Sequence, residues 1–197
     1  EVACGNKLDR RRGDSYQLRI GATPAIEALR YEPAPRRTLE ADQVEIAVAA
    51  TGLNFSDVLK SMGLYPGVRD QVVPLGIECS GIVTQVGQGV TRFKPGDAVM
   101  GVAPYSFGSH AVTAEYALVE RPAELDDEQA CTIPIAYLTA YYALRRLAQL
   151  QPGEKVLIHA GAGGVGLAAI QIAQHVGAEI FATAGSDEKR DFLRSLG

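Results

Sequence analysis

The residues best suited to chemistry stand in a glycine-rich stretch toward the end of the sequence. Residues 155–166 read KVLIHAGAGGVG, so an apolar run leads directly into Gly161-x-Gly163-x-x-Gly166. An apolar segment with helical spacing follows over residues 167–176. Strand, glycine turn and helix in this order indicate a dinucleotide-binding loop, in which glycines allow a tight turn and a close approach of backbone N–H groups to the pyrophosphate. The residues expected at the pyrophosphate are Gly161, Gly163, Gly164, Val165 and Gly166. The alternative is a purely structural glycine turn.

The strand predicted over residues 178–184 indicates which dinucleotide the loop accepts. An NAD site has a carboxylate at the tip of this strand, which accepts hydrogen bonds from the ribose. This sequence has Gly185-Ser186 there, with Lys189 and Arg190 one helical turn later. A hydroxyl and two cations suit a 2′-phosphate. Asp187-Glu188 argues for NAD, but acidic residues after an N-cap serine also complement a helix dipole. The sequence favours NADPH.

The elements ahead of this loop have a different pattern. Residues 43–51 alternate, with Val44 and Ile46 on the apolar face and Glu45 in the other set, which predicts a half-buried antiparallel strand. Turn signals such as Lys94-Pro95-Gly96-Asp97 separate several further short strands. These strands are predicted over 16–20, 79–86, 97–102 and 110–119. The pattern indicates a small, partly open β-barrel.

After this β-rich part the pattern becomes helical. Asp126-Asp127-Glu128 is suited to begin a helix, and residues 135–150 carry apolar residues at helical spacing. The Tyr141-Tyr142 pair is expected to pack against neighbouring elements. The predicted division is a linker over 1–14, a β-rich substrate domain over 15–123, and a linking helix with the first half of a Rossmann NADPH-binding domain over 124–197.

The nucleotide-binding part is expected to be incomplete. A doubly wound nucleotide domain has about six strands, whereas only two are predicted after the linking helix. We therefore expect the chain to be a fragment of a longer polypeptide, and its first Rossmann strand to have an unpaired apolar edge. The fragment alone is expected to be inactive, because half of the nicotinamide pocket would be missing.

The amino-acid composition limits the classes of protein to which the chain can belong. The 197 residues are 47% hydrophobic and carry a net charge of −4, which is ordinary for a soluble protein and indicates neither a nucleic-acid nor a membrane partner. No apolar run is long enough to span a bilayer, and no signal-peptide pattern opens the chain. Three widely spaced cysteines indicate reduced thiols and a cytoplasmic location rather than a disulfide framework.

A family resemblance is carried by several segments in one order. They are ATGLNFSDVL (50–59), GLYPG (63–67), LGIECSG (75–81), FKPGD (93–97), LTAYYAL (138–144), the glycine loop and GSDEKR (185–190). Together they resemble the first 60% or so of a medium-chain dehydrogenase/reductase, and within that superfamily the enoyl reductase domains of type I polyketide synthases and animal-type fatty acid synthases. Residues 31–37, YEPAPRR, are similar to mycobacterial-type synthases. The fold implied is a GroES-like barrel followed by the start of a Rossmann domain.

Departures from the zinc-dependent branch of this superfamily imply a metal-free enzyme. The position of the first zinc ligand reads Asn54, the position of the second reads Ile77, and the sequence has no four-cysteine cluster. A zinc site needs three or four nitrogen, sulfur or oxygen ligands. Hydrogen bonds and side-chain acids would therefore have to polarise the substrate.

The resemblance also implies the reaction. NADPH would deliver a hydride to the β-carbon of a trans-2-enoyl thioester on an acyl carrier protein, and a general acid would protonate the α-carbon. Tyr65 is the candidate acid, since its phenol donates a proton at neutral pH; the alternative is packing beside the Pro66-Gly67 turn. Asn54 and Thr139 are candidate cofactor contacts, against the alternatives of a helix N-cap and a hydroxyl satisfied within its helix. Expected partners are the carrier protein and neighbouring synthase domains, in a homodimeric assembly.

Two other functions fit the same motifs. One is a stand-alone, zinc-free quinone oxidoreductase, and the other is a non-catalytic NADPH-binding domain. Of the remaining polar residues, Glu78 is expected to be a structural acceptor, His159 a core or cofactor-adjacent residue and His175 a solvated helix position.

Overall fold

The computed structural model describes residues 15–66 and 73–197, which form two compact units that divide between Pro134 and Ile135. The predicted linker over 1–14 lies outside the described residues. In the first unit, the elements are β1 (Tyr16–Arg19), β2 (Arg30–Pro33), β3 (Gln43–Thr51), α1 (Phe55–Ser61), β4 (Glu78–Val86), β5 (Ala98–Val102), β6 (His110–Ala114), β7 (Leu118–Glu120) and α2 (Asp127–Ala130).

The first unit is built on a five-stranded antiparallel sheet with the order β6-β3-β4-β5-β7. β1 and β2 form a separate antiparallel pair, and β1 is joined to the segment before β6 by an isolated bridge between Gln17 and Gly108. The pairing of β3 with β4 shifts register twice, and such bulges bend a strand and allow a sheet to curl. This curled sheet confirms the predicted GroES-like, partly open barrel.

The core of the first unit follows the predicted alternation, with one exception. Val44 and Ile46 are fully buried, together with Val99 and Leu118 from neighbouring strands. Glu45, which the alternation assigns to the opposite face, is also fully buried. The expectation of a half-buried strand is wrong at this position, because a partner arginine and a threonine satisfy the carboxylate.

The end of the first unit lies beyond the predicted domain boundary at residue 123. Helix α2 is capped by Asp126, whose side chain accepts a hydrogen bond from the backbone N–H of Gln129 at 2.7 Å, as the acidic run predicts. Residues of α2 contact β3 and β4. The helix therefore packs against the sheet of the first unit.

The second unit contains two parallel strands and the helices around them. Its elements are α3 (Pro134–Tyr141), a π-helix (Tyr142–Leu147), β8 (Lys155–Ile158), α4 (Gly164–Val176), β9 (Glu179–Ala182) and α5 (Asp187–Ser195). α3, which begins at the unit boundary, and the π-helix together occupy the predicted linking helix. Tyr141 and Tyr142 are both more than half exposed, so the expected packing of this pair is wrong.

The β8–α4–β9 segment confirms the start of a Rossmann unit. Ala168, Ile170 and Ala173 of α4 pack on Ile158 of β8. α4 ends at Gly177, whose φ of 82° is the left-handed conformation typical of a helix C-cap. Among the described residues β8 pairs only with β9, as the prediction of an unpaired edge requires. No helix in the described part of the chain has both the length and the apolar character needed to cross a membrane.

Candidate functional site

The glycine loop joins β8 to α4 in the second unit. Ala160 has a φ of 53°, and the backbone N–H of Gly161 donates to the carbonyl of Thr183 at 2.9 Å, which fixes the loop beside the end of β9. α4 begins at Gly164 with Gly163 as N-cap. The N–H groups of the first helical turn have no acceptor within the helix, and the helix dipole places positive charge at this end. The loop therefore has the geometry of an anion-binding helix N-terminus.

Packing explains only some of the loop glycines. A methyl group on Gly166 would clash with the carbonyl of Ala160 and lie 2.7 Å from Cα of Gly161. A methyl group on Gly161 would lie 2.9 Å from Cβ of Ala182. These two glycines are needed for the helix and strands to pack. By contrast, a methyl group on Gly163 would meet only the carbonyl of Ala160, at 3.2 Å, and one on Gly164 would meet nothing within 4 Å.

The polar residues predicted to read the ribose lie at the start of α5. Ser186 is the N-cap, and its hydroxyl accepts from the backbone N–H of Lys189 at 3.3 Å. Arg190 donates to the carbonyl of Ala184 at 2.9 Å and to the Asp187 carboxylate at 2.5 Å. The Lys189 side chain is exposed, and the described residues give it no ion-pair partner. At the start of α5, Lys189 therefore offers a positive charge that no described carboxylate pairs with, while the charge of Arg190 is partly neutralised by Asp187.

Asn54 and Glu78 lie together in the first unit. The Asn54 amide group donates to Oε1 of Glu78 at 2.7 Å, and the Glu78 side chain is buried. Asn54 also stands at the N-cap of α1, where its backbone N–H donates to the Asp57 carboxylate at 3.1 Å. Gly52 allows this arrangement, since a methyl group there would clash with Glu78 and lie 2.6 Å from the carbonyl of Cys131. The contact supports the interpretation of Glu78 as a structural acceptor.

Tyr65 is 37% exposed and faces a buried charge that the sequence analysis missed. The Lys60 ammonium lies 5.6 Å from the centre of the Tyr65 ring. Lys60 also donates to the carbonyl of Pro74 at 3.2 Å and lies 3.7 Å from Asp57, which is nearly fully buried. A lysine three residues after an aspartate on a short helix was the available signal, because such a pair shares one helix face. Gly67, the end of the predicted GLYPG segment, lies outside the described residues.

The thiols near this region are poorly reactive. Burial, together with the neighbouring Cys131 and Glu78, raises the pKa of the Cys79 thiol to about 12. Burial and Glu78 also raise the pKa of Cys131. Neither thiol is thus a ready thiolate ligand or nucleophile at neutral pH. The described residues contain no group of three or more His, Cys, Asp or Glu side chains able to hold a metal ion.

The remaining predicted positions lie in the second unit. Thr139 is an exposed residue of α3. His159 is also exposed, so a core role is wrong; its ring nitrogen Nδ1 lies 3.2 Å from the Thr183 hydroxyl, beside the glycine loop. His175 is exposed on α4, as predicted.

Two protein families match the chain. Residues 40–125 match the family described as alcohol dehydrogenase GroES-like domain, and residues 164–197 match the family described as zinc-binding dehydrogenase. The first matched segment spans β3 to β7 of the barrel, and the second spans α4, β9 and α5.

Individual proteins are also similar to the chain over most of its length. The chain is 45% identical over 183 residues to a phenolphthiocerol/phthiocerol polyketide synthase of Mycobacterium tuberculosis, covering 93% of this chain and 8% of that protein. It superposes on the crystal structure of the CurK enoyl reductase with a TM-score of 0.88 and 43% identity, covering 93% of this chain and 58% of the other. A mycobacterial protein, Rv1454c, solved in complex with NADPH, gives a TM-score of 0.82 and 29% identity, with coverage of 93% and 57%.

Proposed function

Since the chain belongs to the medium-chain dehydrogenase/reductase superfamily and is similar to polyketide synthases and their enoyl reductases, we propose that it is part of a metal-free enoyl reductase domain. The proposed reaction is the reduction of a trans-2-enoyl thioester, carried on an acyl carrier protein, to the saturated thioester. The chain spans 8% of the synthase and 58% of the CurK enoyl reductase, so the complete domain is the unit to test. The proposed setting is a cytoplasmic, homodimeric synthase.

The observation that carries the proposal is the space above Gly163 and Gly164. Packing within the protein does not require glycine at Gly164, and at Gly163 a methyl group would meet a single atom, the carbonyl oxygen of Ala160 at 3.2 Å, whereas close approach of a pyrophosphate to the backbone does require glycine. The residues proposed to hold the cofactor are Gly161, Gly163, Gly164, Val165, Gly166, Ser186, Lys189, Arg190, Asn54 and Thr139. When bound, NADPH supplies a hydride for the β-carbon of the enoyl thioester.

The chain's own residues supply the proton. In this proposal Tyr65 holds a proton on its phenol oxygen for the α-carbon, and the Lys60 ammonium over the ring helps to hold the ring in position. The charged and polar partners of Lys60 keep this ammonium in place. Asn54 orients its amide through Glu78 and retains a second N–H donor for the cofactor or the thioester.

The test is reduction of a trans-2-enoyl thioester by the complete domain, followed through the absorbance of NADPH and repeated with a metal chelator. We expect chelator-insensitive turnover with NADPH preferred over NADH. Tyr65→Phe should lower kcat with little change in KM, and should alter the α-methyl configuration of a branched product. Tyr116→Phe is the matched control, because Tyr116 is 84% exposed on the same unit. Quinone reduction without enoyl turnover would instead identify a quinone oxidoreductase, and NADPH binding without either reaction would identify a non-catalytic domain.

A second test separates cofactor binding from turnover. Gly163→Ala should weaken NADPH binding at least about tenfold, or about 1.4 kcal/mol, with no larger loss of stability than its control variant. Gly89→Ala is the matched control, since its methyl group would meet a backbone carbonyl at 3.1 Å, nearly as Gly163→Ala would at 3.2 Å, but in the first unit. Equal NADPH affinity in both variants would exclude the loop as the cofactor site. The 197-residue chain alone is predicted to show no turnover.

A further inference from the structure

A cavity of about 170 Å³ lies in the first unit, where the β1–β2 pair adjoins the edge strand β6. Its charged lining comes from separate parts of the chain. The charged or titratable side chains that line it, besides tyrosines, are Arg19, Arg36, Arg37, Glu45 and His110.

Glu45, the carboxylate in this lining, is already neutralised. Arg36 donates through Nε to Oε2 of Glu45 at 3.0 Å and through Nη2 to Oε1. The Thr84 hydroxyl donates to Oε1 at 2.6 Å. One arginine therefore balances Glu45, and both carboxylate oxygens are engaged.

Two arginines of the lining remain without a counter-charge. Neither Arg19 nor Arg37 has an ion-pair partner in the part of the chain that the structure describes. The Arg37 guanidinium instead lies 4.7 Å from the centre of the Tyr105 ring. A guanidinium that stacks on an aromatic face keeps its N–H donors at its edge, where they can bind an anion bidentately.

The backbone of Tyr105 is held in an unfavourable conformation that presents this ring. Its φ of 66° is unusual for a bulky residue, and its N–H donates to the carbonyl of Gly76 at 3.0 Å. Strain of this kind is found at binding sites more often than elsewhere. The cavity thus combines two uncompensated cations with a positioned aromatic platform.

We propose that this cavity binds a phosphate group, with Arg19 and Arg37 as its charge partners. Two uncompensated positive charges match a phosphate monoester, which carries a charge of about −1.5 to −2 at neutral pH. Two sources share this chemistry, namely inorganic phosphate and a small phosphate monoester such as pantetheine 4′-phosphate. The site lies within one unit and does not depend on the proposed reaction.

The pKa of the His110 side chain can be used to detect binding in the cavity. Burial lowers the pKa of His110, while Glu45 raises it and Arg36 lowers it. The other groups around the cavity are Arg19, Arg37, Tyr16 and Tyr105. A bound phosphate dianion favours the imidazolium, so the pKa of His110 should rise on binding. His175, an exposed residue of α4 in the second unit, serves as an internal reference.

The experiment is an NMR titration of the histidine ring signals at low ionic strength, with inorganic phosphate, pantetheine 4′-phosphate and pantetheine as probes. We expect both phosphates to raise the pKa of His110 and pantetheine to leave it unchanged. Tighter binding of pantetheine 4′-phosphate than of inorganic phosphate would show that the site takes a phosphate monoester with an organic group, and equal binding would show that it recognises the phosphate alone. Either result supports the site.

Variants test the two arginines directly. Arg19→Gln and Arg37→Gln should each weaken phosphate binding at least about tenfold. Arg146→Gln, which removes the same charge from an exposed residue of the second unit, should bind as the unmodified chain does. The proposal is overturned if neither phosphate changes the His110 titration, or if the three variants bind phosphate equally.

Discussion

Replacing Arg36 by methionine should destabilise the first unit and change how its stability depends on pH. The change leaves the fully buried Glu45 without its cation, and breaking a buried ion pair costs about 3–5 kcal/mol. Arg36 is 43% exposed, so solvent screens part of the interaction, and the Thr84 hydrogen bond to Glu45 remains. We therefore expect a loss of about 2 kcal/mol in the free energy of unfolding at neutral pH.

The sign of the pH dependence follows from Glu45. Burial raises the pKa of Glu45, but hydrogen bonds from Arg36 and Thr84 outweigh this effect and hold it below the usual value. In the unmodified chain Glu45 therefore stabilises the fold above the unfolded pKa of about 4.3, and this contribution is lost as the pH falls through the folded pKa. In Arg36→Met the Thr84 hydrogen bond offsets burial only in part, so we expect the folded pKa of Glu45 to lie above the unfolded one. Glu45 then destabilises the fold as the pH rises, and the difference between the two proteins should shrink in acid.

The assay is urea unfolding followed by the NMR amide signals of β3 and β6, at neutral pH and near pH 4. Arg30→Met is the matched control, because its ion pair with Glu32 is exposed and should contribute less than about 1 kcal/mol. Glu45→Gln combined with Arg36→Met should abolish the pH dependence assigned to this pair. A loss below about 0.5 kcal/mol at neutral pH, or an equal loss at both pH values, would refute the reasoning.

Three further predictions concern other parts of the chain. Cys79, with a pKa of about 12 and no exposure, should resist alkylation at pH 8 in the folded state and react on unfolding; mass spectrometry of the labelled chain decides. Gly52→Ala should cost at least about 1–3 kcal/mol in unfolding free energy, since its methyl group has no room beside Glu78, and a smaller cost would contradict the close approach. Lys189→Ala should reduce the affinity for NADPH about tenfold while leaving that for NADH unchanged, and an equal loss for both would contradict 2′-phosphate recognition.

Local pattern was sufficient to predict several elements and the glycine loop, although the single strand predicted over 110–119 is wrong, because it forms two strands, β6 and β7, at opposite edges of the sheet. β3 lies over residues 43–51 as its alternation predicts, and α4 ends where the apolar periodicity ends, at Gly177. The N-cap role of Ser186 also followed from its position before two acidic residues. Each of these features is determined by residues that are close together in the sequence, so the sequence pattern alone is enough to predict it.

Features that depend on distant partners could not be predicted in this way. Glu45 is buried because Arg36 and Thr84, nine and 39 positions away, satisfy its carboxylate. The alternation of apolar and polar residues along a strand indicates only which residues lie on the same face of the sheet. It therefore placed the Glu45 carboxylate on the face expected to meet solvent. The role of Lys60 was likewise missed, because its contact with the Tyr65 ring depends on the course of the chain after α1.

The loop glycines show how a motif divides between folding and binding. Gly161 and Gly166 would clash with neighbouring backbone or strand atoms if they carried a side chain, so the fold alone accounts for them. Gly164 opens a helix, where alanine has the higher helix propensity, and a methyl group there would meet nothing within 4 Å. A residue type that neither packing nor propensity favours needs a cause outside the described protein atoms. Close approach of a ligand to the backbone at a helix N-terminus supplies that cause, which is why the dinucleotide proposal rests on Gly163 and Gly164 rather than on the whole motif.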